Sequence, residues 1–311
     1  MSQPVVLTVS DLHLSHRPPL ARMAEPDWYD VMKRHLLEIE SVAEKHKIPV
    51  VYAGDIFHKY NPPPRLIAFA LKYLPSGWAI PGQHDLPHHV YENMDRTAYG
   101  CLVEAGVIKN IHPDRYAYLE VPNKDVLSPD SLVRLVGFPW GTEFIPLDRE
   151  DRDGYTSIAI VHKYIWTKGK GYKGASEDAL IGKYRKTCKT YNAVVFGDNH
   201  KGFLVGKHVV NNGTMMRRNS DEIGYDPCYS LIHDNGEIAR AEFKCCDEDV
   251  FTDVNEGVAL VERALDMTEF IGELGQLGTD ALDFFEALKR FCDAEGISDE
   301  VRSRVMDAAG R

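Results

Sequence analysis

A chain of 311 residues, 44% of them apolar and 27% charged, has room for one large domain plus an appendage. No apolar stretch approaches the roughly 20 residues of a membrane span, and Met1-Ser2-Gln3-Pro4 lacks the basic start of a signal peptide, so a cytoplasmic protein without membrane contact is expected. The net charge of −11 argues against a polyanionic partner only until it is located: residues 247–311 hold 17 acidic and 6 basic side chains, leaving 30 of each sign in residues 1–246.

In chain order, Val5–Val9 reads as a strand, followed by a loop through Pro18-Pro19. Asp27 to Lys47 reads as a helix, with Val31, Leu36, Ile39 and Val42 at helical spacing. Strand Val50–Ala53, the turn Asn61-Pro62-Pro63-Pro64, helix Arg65–Leu74 and strand Trp78–Ile80 follow, a β-α-β-α-β order that implies a sheet with crossover helices. Thr97–Ala105 reads as a short helix. The strand-like runs Ile108–Ile111, Tyr116–Val121 and Leu132–Phe138 suggest a second sheet. Ser157–Val161 and Ala193–Phe196 read as buried strands flanking a basic loop and a helix near Glu177–Cys188. Phe203–Val210 and a hairpin around Asp234-Asn235-Gly236 complete the β-rich half. Two face-to-face sheets with helices outside, a four-layer α/β sandwich, are therefore expected over residues 1–250. From about Asn255, helical spacings broken by Gly275, Gly278 and Gly296 make residues 251–311 an acidic helical appendage.

The six cysteines (Cys101, Cys188, Cys228, Cys245, Cys246 and Cys292) form no Cys-x-x-Cys pair, and the adjacent pair has poor geometry for a bridge. Free thiols in a reducing compartment are expected, with neither a disulfide framework nor a thiolate zinc site.

Five polar clusters follow apolar runs: Asp11-Leu12-His13, Gly54-Asp55 with His58, Gly82-Gln83-His84-Asp85, His162, and Gly197-Asp198-Asn199-His200. Metal-ligand residue types thus recur just past strand ends, where open α/β sheets place their sites. If the strand ends converge, Asp11, Asp55 and Asp198 lie together. At about 4 Å and an effective dielectric near 20, each pair of carboxylates costs about 4 kcal/mol. Protons or divalent cations must neutralise them, and the interspersed His13, His162 and His200 favour cations. Two metals sharing one carboxylate bind a phosphate oxygen and lower the pKa of a bound water. A histidine near the leaving oxygen then serves as general acid. The constellation points to phosphoester hydrolysis.

The order Asp-x-His, Gly-Asp, Gly-Gln-His-Asp, His and Gly-Asp-x-His resembles that of calcineurin-like metallophosphoesterases. Within them, Ser10-Asp11-Leu12-His13-Leu14, Gly54-Asp55-Ile56-Phe57-His58 and Gly213-Thr214-Met215-Met216-Arg217-Arg218 resemble the SbcD-type double-strand-break repair nucleases. Ile56-Phe57-His58-Lys59 departs from the Val-Asp-Arg-Gly continuation of the protein-phosphatase branch. The resemblance spans roughly residues 5–245. It implies that Asp11, His13 and His200 hold a first metal, that Asp55 bridges, and that Gln83, His162 and Asp198 complete a second site. It further implies that His84, oriented by Asp85, protonates the leaving group and that His58 sits beside the substrate.

Gln83 and Asp198 depart from the family's asparagine and histidine. Both fall on the second metal and make that site harder, so two manganese ions are expected, with magnesium as the alternative. The implied substrate is DNA, cut as an exonuclease or endonuclease. Alternatives are a phosphodiesterase or phosphatase for small nucleotides, and a weakly active metal-bound scaffold for DNA or protein. The basic residues from Lys163 to Lys189, with Arg217-Arg218, separate polymeric from small substrates by whether they line the metal cleft. By position, the C-terminal helices resemble the segment that engages an SbcC-type ATPase. A homodimer is implied by the same resemblance.

Overall fold

The computed structural model describes residues 2–120, 132–152, 154–172 and 174–252. The appendage expected from 251 onward, with its partner-binding role, lies outside the described residues apart from Phe251 and Thr252, as does the end of the run predicted to reach Val121.

Twelve strands among the described residues form two six-stranded mixed sheets. The first sheet contains β1 (Pro4–Val9), β2 (Val50–Ala53), β3 (Gly77–Ile80), β4 (Ile108–Asn110), β11 (Cys228–His233) and β12 (Ile238–Glu242), in the order β12-β11-β1-β2-β3-β4. The second contains β5 (Ala117–Glu120), β6 (Leu132–Phe138), β7 (Thr156–His162), β8 (Ala193–Gly197), β9 (Phe203–Val205) and β10 (Val209–Asn211), in the order β5-β6-β7-β8-β10-β9. Strands β1 to β4 are mutually parallel, as are β6, β7, β8 and β10.

Period-two alternation builds the layers. Val51, Ala53 and Ile80 of the first sheet meet Val133, Leu135, Ile158, Ile160 and Val195 of the second in a buried apolar interface. Val50, Tyr52 and Ala79 point the other way, against α1 (Trp28–His46), α2 (Pro64–Tyr73) and α3 (Ala98–Glu104). Val136, Phe138, Ala159, Val161, Val194 and Phe196 face the outer layer of the second sheet. Helix α1 begins where the Asp27 carboxylate accepts from the backbone N–H groups of Tyr29 and Asp30, and it ends where Lys47 turns left-handed. Pro64 opens α2, and the Thr97 hydroxyl caps α3.

Three expectations are corrected. Ile108–Asn110 pairs parallel to β3 at the edge of the first sheet and not in the second. The helix expected near Glu177–Cys188 is two 3₁₀ turns and one α-turn, α4 (Arg185–Cys188). There Leu180 is extended and bridges Trp166, with Trp166 N–H donating to Ala179 O and Ile181 N–H to Trp166 O, which breaks helical continuity. The outer face of the second sheet is thus covered by short turns, unlike the three helices opposite. Phe203–Val210 is a hairpin of β9 and β10 around a left-handed Gly206.

Candidate metal centre

Each predicted cluster sits at or just past the carboxyl end of a parallel strand: β1, β2 and β3 in one sheet, β7 and β8 in the other. The loops after β1 and β2 stay laced together beyond the regular ladder. Asp11 N–H donates to Gly54 O, His13 N–H to Asp55 O, Leu14 N–H to Ile56 O and His58 N–H to Leu14 O, all at 2.9–3.1 Å. This lacing holds Asp11, His13 and Asp55 at φ of 51°, 45° and 53°, and Asp198 lies at 81°. Left-handed backbone on four non-glycine residues costs on the order of 1–3 kcal/mol each and collects at functional sites.

The donors converge. One ligand atom from each of Asp11, His13 and His200 lies within 4.8 Å of the others, as do those of Asp11, Asp55 and His162. Asp55 Oδ1 accepts the His84 backbone N–H at 2.9 Å. Its Oδ2 is buried without a hydrogen-bond partner, 3.7 Å from His13 Nε2 and 3.5 Å from His162 Nε2. Asp55 Oδ2 therefore stands between a histidine of each group, and Asp11 belongs to both.

The donor chemistry fits divalent cations. His162 Nδ1 donates to Ala53 O at 2.7 Å, which turns Nε2 toward Asp55 Oδ2 and, at 2.7 Å, Gln83 Oε1. A neutral imidazole would put a lone pair against two acceptors there, so a proton or a cation must intervene. His13 Nε2 and His200 Nε2 lie 2.9 Å apart, at hydrogen-bond distance. Proton affinities split accordingly. Burial works against a charged His162, yet the Asp55, Asp11 and Asp198 carboxylates outweigh it and push the ring up to about 10. Burial lifts Asp11 to about 6, against the pull of His162 and His200. Burial also works to raise Asp55, but His162 and His84 bring it below the usual carboxylate range. His13 is held well below its ordinary value by burial and then by His200, Arg218, His84 and His58.

The two departures from the family pattern touch one another. Gln83 Nε2 donates to Asp198 Oδ1 at 2.6 Å while Gln83 Oε1 faces His162. The longer amide thus spans both neighbours. The Asp198 N–H donates to both Asp11 oxygens, at 3.0 and 3.1 Å. Asp198 stands beside the three-donor groups rather than within them. Space here is tight: a Cβ at Gly82 would overlap Asp55 Oδ1 and crowd His162 Nε2.

His58 and His84 stack with ring centroids 5.4 Å apart, and His84 packs edge-on to His13 at 4.9 Å. Burial and the neighbouring Arg218 push His58 down to about 4. The expected Asp85–His84 pairing is corrected. The His84 Nδ1 partner is His58 O at 2.9 Å. Asp85 instead accepts from the backbone N–H groups of Ile56, Phe57 and Gly82 at 2.9–3.2 Å. It ties the loop after β3 to the loop after β2. Asp85→Ala is expected to leave those three buried donors unpaired and to lower unfolding free energy by about 3–5 kcal/mol, read by urea denaturation.

The basic residues divide. Lys163 and Tyr164 line a cleft with His162 and Trp140. Arg185 and Lys189 line a cavity with Asn192 and His208, at the end of β8 opposite the centre. Arg217 is engaged internally, with Asp249 Oδ2 at 3.0 Å, Ile223 O and Cys246 O. Arg218 is buried, donates to His13 O at 2.7 Å and lines the cleft that holds His58, His84 and His200.

Glu222 was not anticipated from the sequence. It lies 3.7 Å from His200 Nδ1 and accepts the backbone N–H groups of Arg218 and Asn219. The available signal was Val209–Val210 followed by Asn211-Asn212-Gly213, a sixth apolar run leading into a polar loop.

Among the described residues no helix is long and apolar enough to cross a membrane. No protein-family model matches the chain, and no curated protein does. Among solved structures, the chain is similar to the calcineurin-like phosphoesterase YfkN from Bacillus subtilis, at 13% identity and a TM-score of 0.46, over 85% of this chain and 98% of that one. It is also similar to a 5'-nucleotidase from Candida albicans, at 11% identity and a TM-score of 0.43, over 85% of this chain and 58% of that one.

Proposed function

We propose that the chain is a dinuclear metal-dependent phosphodiesterase of the calcineurin-like type that cleaves DNA with manganese. The observation that carries this reading is the buried Asp55 Oδ2, which has no hydrogen bond and lies 3.7 Å from His13 Nε2 and 3.5 Å from His162 Nε2. Asp11, His13 and His200 would hold one cation, Asp55 would be shared, and His162 with Gln83 and Asp198 would hold the other. Bound there, the cations supply Lewis acidity toward a phosphoryl oxygen and a water of lowered pKa.

The chain's own groups do the rest. The His84 ring donates its Nδ1–H to His58 O, so the imidazolium form of the ring is the one whose Nε2 proton would pass to the leaving oxygen. Arg218 and Lys59 line the same cleft and would bind phosphate oxygens.

Clefts on both sides of the centre favour a polymer over a single nucleotide. One, about 540 Å³, has His16, Arg17 and Lys59 with Pro62, Pro63 and Leu66. The other, about 570 Å³, has Lys163, Tyr164 and Trp140. Cations beside apolar and aromatic surfaces suit a sugar–phosphate backbone and its bases.

The test incubates the protein with linear, circular and single-stranded DNA, a mononucleotide and a small phosphodiester, with and without manganese. Manganese-dependent DNA cleavage, lost on adding a chelator, is the expected result. Turnover of the mononucleotide alone would move the reading to small substrates. Inactivity on every substrate would leave a scaffold.

A further inference from the structure

A second group of metal-binding side chains lies on α1 and the turn Lys244–Glu248, elements that contribute nothing to the Asp/His centre. His35 is fully buried on the core face of α1. Its Nδ1 lies 2.9 Å from Val31 O, one turn earlier. A carbonyl only accepts, so Nδ1 carries the proton and Nε2 presents a lone pair. That lone pair meets Cys246 Sγ at 3.3 Å. Cys245 Sγ joins them, and all three atoms lie within 4.8 Å of one another. A tetrahedral zinc ion, with bonds of about 2.3 Å to sulfur and about 2.0 Å to nitrogen, sets its donors roughly 3.3–3.8 Å apart. His35 Nε2 and Cys246 Sγ already stand at that spacing, and Cys245 Sγ lies within 4.8 Å of both.

The surroundings hold the donors in place. Glu38, three residues after His35 and so on the same side of α1, accepts the backbone N–H groups of Lys244 and Cys245 at 3.0 and 3.1 Å, and its carboxylate faces the Cys245 thiol. Cys246 O accepts from Arg217 Nη2 at 2.5 Å. Asp249 just beyond is held by both Arg22 and Arg217. An imidazole fixed through its far nitrogen and a backbone pinned on both sides of the sulfurs are the supports that metal ligands need. A single thiol-to-imidazole hydrogen bond explains Cys246 alone. Half-buried Cys245 brings its sulfur to the same point, beside Cys246 and facing the Glu38 carboxylate.

We propose that His35, Cys245 and Cys246 bind one thiophilic divalent cation of the zinc class. The two thiols release their protons to solvent as the cation binds. The bound ion clips the Lys244–Glu248 turn to α1. Spacing in the sequence concealed the site, because the histidine stands more than 200 positions before the cysteines.

The test uses the full-length protein, reduced and stripped of metal, titrated with cobalt(II). The expected result is a near-ultraviolet sulfur-to-cobalt charge-transfer band that rises to saturation as cobalt is added and is displaced by zinc. The Asp/His/Gln centre contains no sulfur and cannot produce that band, so the outcome is independent of phosphoesterase activity. Cys246→Ser should abolish the band and Cys101→Ser should retain it. Cys245→Ser repeats the test should Cys246→Ser not fold. Wild-type protein that binds cobalt without the band, or a band that survives both Cys245→Ser and Cys246→Ser, overturns the proposal.

Discussion

Asp55→Asn is expected to abolish metal uptake at the Asp/His centre and to reduce hydrolysis by at least about 10³-fold. The substitution is nearly isosteric. Its remaining oxygen can still accept the His84 N–H that Asp55 Oδ1 holds at 2.9 Å, so the loop after β3 stays in place. What disappears is the anionic oxygen that stands between His13 of one donor group and His162 of the other. Lewis-acid stabilisation of a phosphoryl transition state amounts to several kcal/mol, and each 1.4 kcal/mol or so is tenfold in rate. Losing about 4–6 kcal/mol gives the stated effect. A second readout separates lost binding from lost chemistry. Manganese at about 100 times its dissociation constant should stabilise the wild type by about 2.7 kcal/mol, and Asp55→Asn should show no such gain in thermal or urea unfolding. A variant that still takes up two equivalents would sink the shared-ligand role.

The recurring strand-then-polar-cluster pattern located this centre because parallel strands bring their carboxyl ends to one edge. Val5–Val9, Val50–Ala53 and Trp78–Ile80 are legible as buried runs, and their clusters inherit a common position from the topology. Partner choice is less legible. Ile108–Asn110 is too short for its alternation to say which sheet it joins, and only the parallel pairing with β3 places it. Tertiary pairing also overrides local propensity at Leu180, where an extended residue bonded to the Trp166 segment divides what reads as a helix. Roles carried by backbone contacts were the least visible. Asp85 looks in sequence like a partner for its neighbour His84, yet its oxygens serve three N–H groups across two loops. Arg217 and Arg218 are adjacent and alike in sequence, but one is used up on Asp249 and carbonyls while the other lines the cleft. Glu222 and His35 act on residues that no local motif ties to them.

His84→Ala should lower the turnover number on DNA by about 10²- to 10⁴-fold, the range for a general acid, while leaving metal uptake intact. The main-chain N–H of residue 84, not the ring, holds Asp55 Oδ1, so truncating the side chain spares the shared carboxylate. The ring's own contacts are the His58 carbonyl through Nδ1, the stacked His58 ring and the edge of His13, so of the proposed metal donors it meets His13, whose backbone is held separately by Asp55 O. The deficit should therefore appear in kcat with little change in KM. It should also depend on the leaving group. A deoxyribose oxygen departs as a strongly basic alkoxide unless it is protonated, whereas nitrophenolate needs no proton. The variant should lose far more activity on DNA than on a nitrophenyl phosphodiester. Equal losses on the two substrates would assign the ring to phosphate binding instead of proton transfer.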